Sequence, residues 1–261
     1  MLPLIRSSIF NLFPSIVCGM STRLGGVSGE TLGMNTSYSV GDTEQNVTEN
    51  RWRFCEGLDI WQNRLALQNQ VHGDNIAIVD RPCTVENNDA LITRTKNIYV
   101  SVSIADCQPV FLYDSRNAIV AAVHAGWRGS AKHIVAKALH KMAETFGTKS
   151  QDVLAFVGPA ASQCCYEVDA AVASQFDVSL SIKKENNKFM LDLKGATLRD
   201  MLSFGVVRTH IEISPMCTIC DKEFFHSYRR DGARSGRMLG VIGIRNDMHI
   251  GIFDELQGVN T

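Results

Sequence analysis

The chain has 261 residues, of which 45% are hydrophobic and 20% are charged, with 26 basic and 27 acidic side chains and a net charge of -1. This balance argues against a nucleic-acid-binding protein, because such proteins usually carry a surplus of Lys and Arg that displaces counterions from phosphates. No segment reaches the roughly 18 apolar residues of a membrane span, and the N-terminus lacks a secretory signal pattern. We therefore expect a cytoplasmic protein with no nucleic-acid or membrane partner, whose eight cysteines stay reduced.

Short β-rich apolar runs, each bounded by Gly, Asp, Asn or Pro, predict strands. They lie at 15–22, 75–79, 98–104, 118–124, 153–157 and 238–244. Apolar residues three and four apart predict an amphipathic helix over 129–146, and two further helices over 168–176 and 193–204. Strands and helices are interspersed without strict alternation, and no linker or repeat divides the chain. We expect one α/β (α+β) domain over residues 1–261, with a mixed sheet covered by helices.

Three residues near predicted strand ends form the strongest candidate for a reaction centre. Cys107 follows the strand at 98–104, and His124 closes the next predicted strand. Because neighbouring strands lie about 5 Å apart, a strand–turn–strand unit with its loop at 113–117 brings these two side chains together. His72 adds a third ligand of the type that zinc prefers. Three such ligands with an open fourth position are the pattern of catalytic zinc.

The spacing of these residues leaves two other interpretations open. In the first, Cys107 is a small buried hydrophobe and both histidines are hydrogen-bonded turn residues, since the separations match no short ligand motif. In the second, His124 lowers the pKa of Cys107 and makes it a metal-free nucleophile, with Asp106 or another carboxylate orienting the imidazole. The presence of His72 favours the metal.

Two arginine-bearing segments are typical of anion sites. Arg23 stands beside a Gly-Gly turn whose backbone amides can face a phosphate. Four arginines lie within 229–237 together with two glycines. The alternative for the second segment is a solvated basic loop, balanced in part by Asp231.

The remaining cysteines form two weaker patterns. Cys217 and Cys220 have the spacing of half a zinc ribbon, which His210 or His226 can extend, but the sequence has no second Cys-x-x-Cys motif. The neighbouring cysteines at 164–165 follow a Gly-Pro pair and are interpreted as a packed turn.

Several long motifs together resemble the YfiH family. They occur in the family's order over nearly the whole chain, as STRLGGVSG (21–29), NQVHGD (69–74), ADCQPV (105–110), HAGWRGS (124–130), VGPAASQCCYEV (157–168), CT (217–218) and FFHSYRRDG with GRM (224–238). The family has been catalogued as laccase-type polyphenol oxidase, as a peptidoglycan editing factor, and as purine nucleoside phosphorylase with adenosine deaminase activity.

The resemblance implies an αββα-like fold, related to Cys/His hydrolases of the cytotoxic necrotising factor type. It implies one zinc per chain, bound by the catalytic residues His72, Cys107 and His124. The implied reactions are phosphorolysis of adenosine, inosine, guanosine or S-methyl-5′-thioadenosine to the base and (methylthio)ribose 1-phosphate, and deamination of adenosine to inosine. The implied partners are purine nucleosides and phosphate, and we expect a monomer or homodimer.

Within this function, we expect cations to hold the phosphate. Arg23 is one candidate, and Arg229 or Arg230 is the other. Asp106 is expected to orient a ligand from the second layer of residues around the site, or to contact the substrate.

The histidine count bears on the oxidase description of the family. A multicopper oxidase needs a trinuclear cluster, held mostly by His-x-His pairs, and a Cys/His/Met site. The chain has seven histidines and no such pair, at positions 72, 124, 133, 140, 210, 226 and 249. We therefore expect any bound copper to be adventitious. A laccase-like polyphenol oxidase, a metal-free cysteine hydrolase and a peptidoglycan precursor editing factor remain the alternatives.

Overall fold

The computed structural model describes residues 2–246, which form two six-stranded sheets and one three-stranded sheet. The strands are β1 (Leu4–Ile5), β2 (Ile16–Ser21), β3 (Leu65–Gln68), β4 (Ile76–Ile78), β5 (Thr84–Val85), β6 (Ala90–Thr93), β7 (Tyr99–Ile104), β8 (Gln108–Asp114), β9 (Ile119–Ala125), β10 (Val153–Val157), β11 (Glu167–Asp169), β12 (Ser181–Lys183), β13 (Lys188–Leu191), β14 (Ile211–Ile213) and β15 (Met238–Ile244). The helices are α1 (Glu44–Gly57), α2 (Trp127–Ala131), α3 (Ile134–Phe146), α4 (Ala170–Ala173), α5 (Leu193–Phe204) and α6 (Tyr228–Asp231). Within this range no helix has the length and apolar character to cross a membrane.

The two large sheets face each other across one hydrophobic core. The first has the order β1-β2-β15-β7-β3-β5, and the second has the order β14-β10-β8-β9-β6-β4. Side chains alternate along each strand, so Val102 of β7 points into the core between the sheets, where it joins Phe111 of β8 and Phe156 of β10. Both sheets contain parallel and antiparallel pairs, as predicted for a mixed sheet.

Helices cover the outer faces of both sheets. Phe54 of α1 packs against Tyr99 and Val241 on the first sheet. On the second sheet, α3 and α5 pack against β8, β9 and β10, with Leu139 and Met201 in the same cluster. The strands β8 and β9 are buried on both faces for this reason and are apolar at nearly every position. The layers are therefore αββα, as expected from the resemblance.

The predicted elements agree with the structure in most cases. Each of the six predicted strands corresponds to an observed strand within about one residue at either end, and the helix at 193–204 has the observed bounds of α5. The helix predicted at 129–146 is instead two helices, because His133 adopts a left-handed backbone (φ 59°) between α2 and α3. The helix predicted at 168–176 is confirmed only in its middle part. Its start is β11, which pairs with β13, and only four residues form α4.

Candidate functional site

His72, Cys107 and His124 meet at one end of the second sheet. Their ligand atoms all lie within 4.8 Å of one another, and the two imidazole rings are edge to face with centroids 4.9 Å apart. His124 is buried, Cys107 is partly exposed, and His72 is exposed. The structure thus brings together the three residues that the sequence grouped, in an arrangement that opens to solvent beside His72.

The hairpin formed by β8 and β9 positions two of these residues. Cys107 immediately precedes β8, and His124 is the last residue but one of β9, paired with Pro109. The loop predicted at 113–117 starts too early, because Tyr113 still lies within β8 and pairs with a residue of β9. The predicted partner strand at 98–104 also belongs to the other sheet. The missing strand was β8, whose proline at its second position obscures the pattern.

Asp89 is the residue that connects the two histidines, and the sequence analysis missed it. Its carboxylate accepts a hydrogen bond from Nδ1 of His124 at 2.8 Å. The same carboxylate accepts bonds from the backbone N–H groups of Val71, His72 and Gly73 at 3.2, 3.0 and 2.7 Å. Because Nδ1 of His124 donates to this carboxylate, Nε2 is the nitrogen available to the site.

The backbone around His72 is held in a conformation that a residue other than glycine rarely adopts. His72 has φ 58°, in the left-handed region that costs most residues about 1 kcal/mol or more. The hydrogen bonds that Asp89 accepts from the backbone of residues 71–73 offset that cost and fix the backbone that carries the imidazole. No short sequence motif signals this role, since Asp89 is distant from all three ligands along the chain.

Gly126 leaves the space that the three side chains occupy. A Cβ atom at this position lies 3.1 Å from Cys107 Sγ, 3.1 Å from His72 Cδ2 and 3.7 Å from His124 Cε1. The backbone of Gly126 has φ -73°, which any residue can adopt. Glycine is therefore required here for close approach and not for backbone freedom.

Charge separation between Cys107 and His124 dominates the electrostatics of the site. Burial raises the pKa of the Cys107 thiol, but the positive charge and hydrogen bonds of the two histidines lower it to about 6. Burial lowers the pKa of His124, but the Cys107 thiolate and the Asp89 carboxylate raise it to about 9. Without a metal, the pair is therefore a thiolate and an imidazolium near neutral pH. A deprotonated thiol is also the form of cysteine that binds metals.

Asp106 does not contact either histidine in the way that the sequence suggested. Its carboxylate accepts hydrogen bonds from Thr218 Oγ1 at 2.7 Å and from the backbone N–H of Arg229 at 2.6 Å. Asp106 also has φ 88°, which turns the chain sharply just before Cys107. Asp89 takes the orienting position, while Asp106 holds two loops beside the site.

The three candidate arginines differ in what their guanidinium groups contact. Arg23 donates to the backbone carbonyls of Lys222, Glu30 and Thr31. Arg230 donates to the carbonyls of Thr218, Ile219 and Phe225 and to the Asp231 carboxylate. Both therefore fasten loops to one another.

Arg229 lies nearest to a cavity beside the three ligands. Its guanidinium lies 5.0 Å from the ring centroid of Tyr166, and Nη1 donates to the Glu167 carbonyl at 2.7 Å. The cavity has a volume of about 160 Å³, and its walls include Trp127, Tyr166, Val172 and Arg229. None of the three candidate ligands lines this cavity, but Tyr166 in its wall lies close enough to Cys107 that, besides burial, the charge of that thiol raises the Tyr166 pKa. A larger, open depression of about 940 Å³ runs along α1, but neither histidine nor cysteine lines it.

Arg237 is a second cation at the site that sequence analysis did not single out. Burial lowers the pKa of Arg237, while the charges of Tyr228, Asp106 and Cys107 act in the opposite direction. Its guanidinium lies 5.5 Å from the Tyr228 ring centroid and donates to the carbonyls of Ser235 and Gly236. The sequence shows Arg237 as one of four arginines in a single loop. The spacing of these arginines does not indicate which of them lies at the site.

The residues present fit a single zinc ion. Two imidazoles and one thiolate are borderline and soft donors of the kind that zinc prefers. One of the imidazoles has a carboxylate behind it, which is the usual support for a metal-binding histidine. The lack of a side chain at Gly126 allows the three ligands to stay close together, since a Cβ there would crowd both Cys107 and His72. His249, the last of the seven histidines, lies outside the described residues.

The chain is similar over most of its length to proteins of known family. It matches the family described as multi-copper polyphenol oxidoreductase laccase over residues 17–245. It is 34% identical over 243 residues to a purine nucleoside phosphorylase of Bacteroides thetaiotaomicron, with 86% of this chain and 90% of that protein covered. It is 37% identical over 230 residues to a purine nucleoside phosphorylase of Corynebacterium glutamicum, with 85% and 92% covered.

Two solved structures share the fold. YfiH of Bacillus licheniformis superposes with a TM-score of 0.89 at 28% identity, covering 94% of this chain and 97% of that one. YlmD of Geobacillus stearothermophilus superposes with a TM-score of 0.87 at 31% identity, covering 93% and 96%. The resemblance drawn from the sequence motifs is confirmed, and the chain belongs to the multi-copper polyphenol oxidoreductase laccase family, the family of YfiH and YlmD.

Proposed function

We propose that the chain is a zinc-dependent purine nucleoside phosphorylase that also deaminates adenosine to inosine. The substrates are adenosine, inosine, guanosine or S-methyl-5′-thioadenosine, and phosphorolysis yields the base and (methylthio)ribose 1-phosphate. The observation that carries the proposal is the convergence of His72, Cys107 and His124 beside a cavity with aromatic walls and an arginine. Relatives that are named purine nucleoside phosphorylase support the choice of substrate.

The proposed metal ligands are His72, Cys107 and His124, with the fourth position open toward the exposed side of His72. Zinc in such a site acts as a Lewis acid and lowers the pKa of water. The chain's own contribution is to hold the ligands. Asp89 keeps the proton of His124 on Nδ1 and holds the backbone of residues 71–73 in place. The small number of histidines agrees better with a zinc enzyme than with an oxidase. Adventitious copper at the same three ligands would lack the further histidines that a multicopper cluster needs.

We assign the phosphate to Arg229, with Arg237 as the second cation. Arg229 lines the cavity beside the ligands, and its backbone N–H is already fixed by Asp106. Phosphorolysis needs positive charge where the phosphate oxygens lie, and a planar guanidinium can donate two parallel hydrogen bonds to them. Arg23 and Arg230 stabilise the loops around the site and are not assigned to the phosphate, because their N–H groups donate to backbone carbonyls of those loops.

Two aromatic side chains in this largely polar cavity, which Glu167, Asp169 and Lys188 also line, suit the base or sugar of a nucleoside. Trp127 and Tyr166 offer flat apolar faces on which a purine can stack. Burial raises the pKa of Tyr166 to about 12, so its hydroxyl stays protonated and able to donate near neutral pH. We propose that a nucleoside bound in this cavity reaches the open side of the ligand triangle.

A metal-free cysteine hydrolase is the second candidate, and one observation favours it. Asp89, His124 and Cys107 form a carboxylate–imidazole–thiolate series, with the pKa of Cys107 lowered to about 6. That order is the geometry of an activated cysteine nucleophile. In this candidate, which includes action on peptidoglycan precursors, His72 has no assigned role. Chelation leaves the activity of a cysteine hydrolase unchanged and abolishes that of the zinc enzyme.

We further propose that the protein acts in the cytoplasm as a monomer or homodimer. The proposed zinc ligand Cys107 must stay reduced to bind the metal, and a reducing compartment maintains that state. The near-neutral net charge of -1 fits a small-molecule enzyme and not a nucleic-acid-binding protein.

Product analysis with and without phosphate tests the proposed function. Zinc-loaded wild type and Cys107→Ala are incubated with adenosine, and the products are identified by mass. We expect adenine and ribose 1-phosphate only when phosphate is present, inosine in both conditions, and no product from Cys107→Ala. Absence of inosine, adenine and ribose 1-phosphate from the zinc-loaded wild type overturns the proposal. Equal activity in Cys107→Ala overturns the site assignment.

A further inference from the structure

Four cysteines outside the reaction centre form a second cluster. The sulfur atoms of Cys164, Cys165, Cys217 and Cys220 all lie within 4.8 Å of one another. Cys165 Sγ and Cys220 Sγ are 3.0 Å apart, and Cys164 Sγ and Cys220 Sγ are 3.7 Å apart. Cys164 and Cys165 lie in a turn, as the sequence indicated. They also supply the two further cysteines that the Cys-x-x-Cys motif of Cys217 and Cys220 lacked.

The backbone that carries these cysteines is fixed by contacts that do not involve the sulfur atoms. Ala160 and Cys217 form an isolated parallel β-bridge, and Thr218 N–H donates to the Ala160 carbonyl at 3.2 Å. The Lys194 ammonium, which is buried, donates to Ser162 Oγ and to the carbonyls of Ser214 and Met216, at 2.9, 2.8 and 2.8 Å. The two segments are therefore held side by side before any ligand binds.

We propose that these four cysteines bind a second zinc ion as a closed tetrathiolate site. Zinc prefers a tetrahedron of sulfur atoms at about 2.3 Å, which corresponds to sulfur–sulfur separations of about 3.8 Å. The Cys164–Cys220 separation of 3.7 Å matches that value, the Cys165–Cys220 separation of 3.0 Å is shorter and must widen when the metal binds, and all four atoms lie within 4.8 Å of one another. Four protein ligands leave no open position, which is the pattern of a structural and not a catalytic zinc.

The surroundings of Cys217 suit a metal-binding thiolate. Cys217 and Cys220 have the two-residue spacing of zinc-binding turns, and the Ser162 N–H donates to Cys217 Sγ at 3.5 Å. Hydrogen bonds of this kind support metal ligands from behind. A zinc ion with four thiolates carries a net negative charge, and the Lys194 ammonium, bonded to Ser162 and Met216 beside the cluster, offsets part of it.

A disulfide is the competing fate of the cluster. Cys165 and Cys220 are close enough to oxidise, but a disulfide between them leaves Cys164 and Cys217 without a role. A metal accounts for all four sulfur atoms at once, and four soft sulfur donors select zinc over harder divalent ions.

The proposed zinc fastens two segments that border the reaction centre. The 160–166 segment carries Tyr166, and Ala161 N–H donates to the Asp106 carbonyl at 2.9 Å. The 217–220 segment carries Thr218, whose Oγ1 donates to the Asp106 carboxylate at 2.7 Å. The metal thus stabilises the walls of the site without sharing a ligand with it. Its existence is independent of whether the enzyme acts on nucleosides.

Zinc stoichiometry in matched variants tests this proposal. Protein is purified with zinc and a thiol reductant, desalted, and analysed for zinc per chain by mass spectrometry. We expect two zinc ions in the wild type and in Cys83→Ser, which lies outside both clusters, one in Cys107→Ala, one in Cys220→Ser, and none in the double variant. In Cys107→Ala, cobalt substitution is expected to give the intense thiolate-to-metal absorption of a four-sulfur site.

A stability measurement serves as the second readout. Chelation of Cys107→Ala is expected to lower its Tm, and zinc restores it, whereas the Tm of Cys107→Ala with Cys220→Ser does not respond to zinc. Zinc-free Cys107→Ala overturns the proposal. A Cys165–Cys220 disulfide in intact, freshly purified protein also overturns the proposal. Mass spectrometry identifies it by the loss of two hydrogens from the protein and by a Cys165–Cys220 link in the peptide map.

Discussion

The carboxylate of Asp89 connects His124 to His72 through hydrogen bonds on both sides. It accepts from His124 Nδ1 at 2.8 Å and from the His72 backbone N–H at 3.0 Å, through the same Oδ1 atom. One buried side chain therefore sets the tautomer of one proposed ligand and the backbone of another. Burial raises the pKa of Asp89, but the hydrogen bonds from His124 and Gly73 lower it below its usual range, so it remains an acceptor.

Replacing Asp89 by Asn is expected to weaken zinc binding about 10- to 100-fold, the usual effect of removing the partner of a metal-binding histidine. The amide has one acceptor oxygen where the carboxylate has two, and it no longer fixes the tautomer of His124. Zinc affinity is measured by competition with a chromogenic chelator. The matched control is Asp80→Asn, an exposed aspartate, which should bind zinc like the wild type. Unchanged affinity in Asp89→Asn removes its assigned role.

Gly126→Ala is expected to reduce zinc affinity and phosphorolysis together. The added Cβ lies 3.1 Å from both Cys107 Sγ and His72 Cδ2, so the ligands must separate by a few tenths of an ångström. The backbone at φ -73° accepts alanine without strain, and the Tm of the metal-free protein should therefore change little. Gly29→Ala is the control, because its Cβ meets nothing within 4 Å. Wild-type zinc affinity in Gly126→Ala contradicts the packing described for the three ligands.

The reactivity of Cys107 is expected to depend on pH with a midpoint near 6 in metal-free protein. The pKa of this thiol is lowered from its ordinary value of 9.0 to about 6. The reactive thiolate predominates above pH 6, and its fraction falls as the pH is lowered through that value. Iodoacetamide labelling of the peptide that contains Cys107, followed by mass spectrometry, measures the profile, and bound zinc should suppress labelling. A midpoint near 9 contradicts the thiolate–imidazolium pair.

Arg229→Gln and Arg230→Gln are expected to fail in different ways. Loss of the Arg229 guanidinium removes charge-assisted hydrogen bonds to phosphate, worth about 1.5–3 kcal/mol, and lowers kcat/KM for phosphate about 10- to 100-fold. Deamination of adenosine should change little. Arg230 donates to three carbonyls and one carboxylate, so its replacement should lower the free energy of unfolding by about 2 kcal/mol. Steady-state kinetics at varied phosphate and thermal unfolding separate the two. An unaltered phosphate dependence in Arg229→Gln contradicts our assignment.

The elements with regular patterns could be predicted from the sequence. The helix α5 has the predicted bounds, and the strands of the central core are apolar runs between turn residues. The helix α1 was missed because few of its residues are buried, among them Val47 and Phe54. The strand β11 was missed because its apolar neighbours follow helical spacing, while its backbone pairs with β13. In such cases tertiary pairing overrides local preference.

The three proposed ligands could be grouped from the sequence, but their support could not. His72, Cys107 and His124 each stand beside an apolar run, which motif and position can indicate. Asp89 and Arg237 act through contacts between segments that are distant in the chain. The same holds for the four-cysteine cluster, where residues 164–165 and Cys217 are brought together by the β-bridge at Ala160 and by the hydrogen bonds of Lys194. The relation of the fold to the cytotoxic necrotising factors remains a prediction.

The proposed function requires that His72, Cys107 and His124 together hold the metal of a nucleoside phosphorylase. The most direct measurement is the initial rate of ribose 1-phosphate release from inosine by zinc-loaded protein. We expect His72→Ala, Cys107→Ala and His124→Ala each to lose the activity, while His140→Ala, which replaces an exposed histidine on α3, keeps the wild-type rate. Wild-type release of ribose 1-phosphate by any one of the three variants, or by protein stripped of zinc, would contradict the claim.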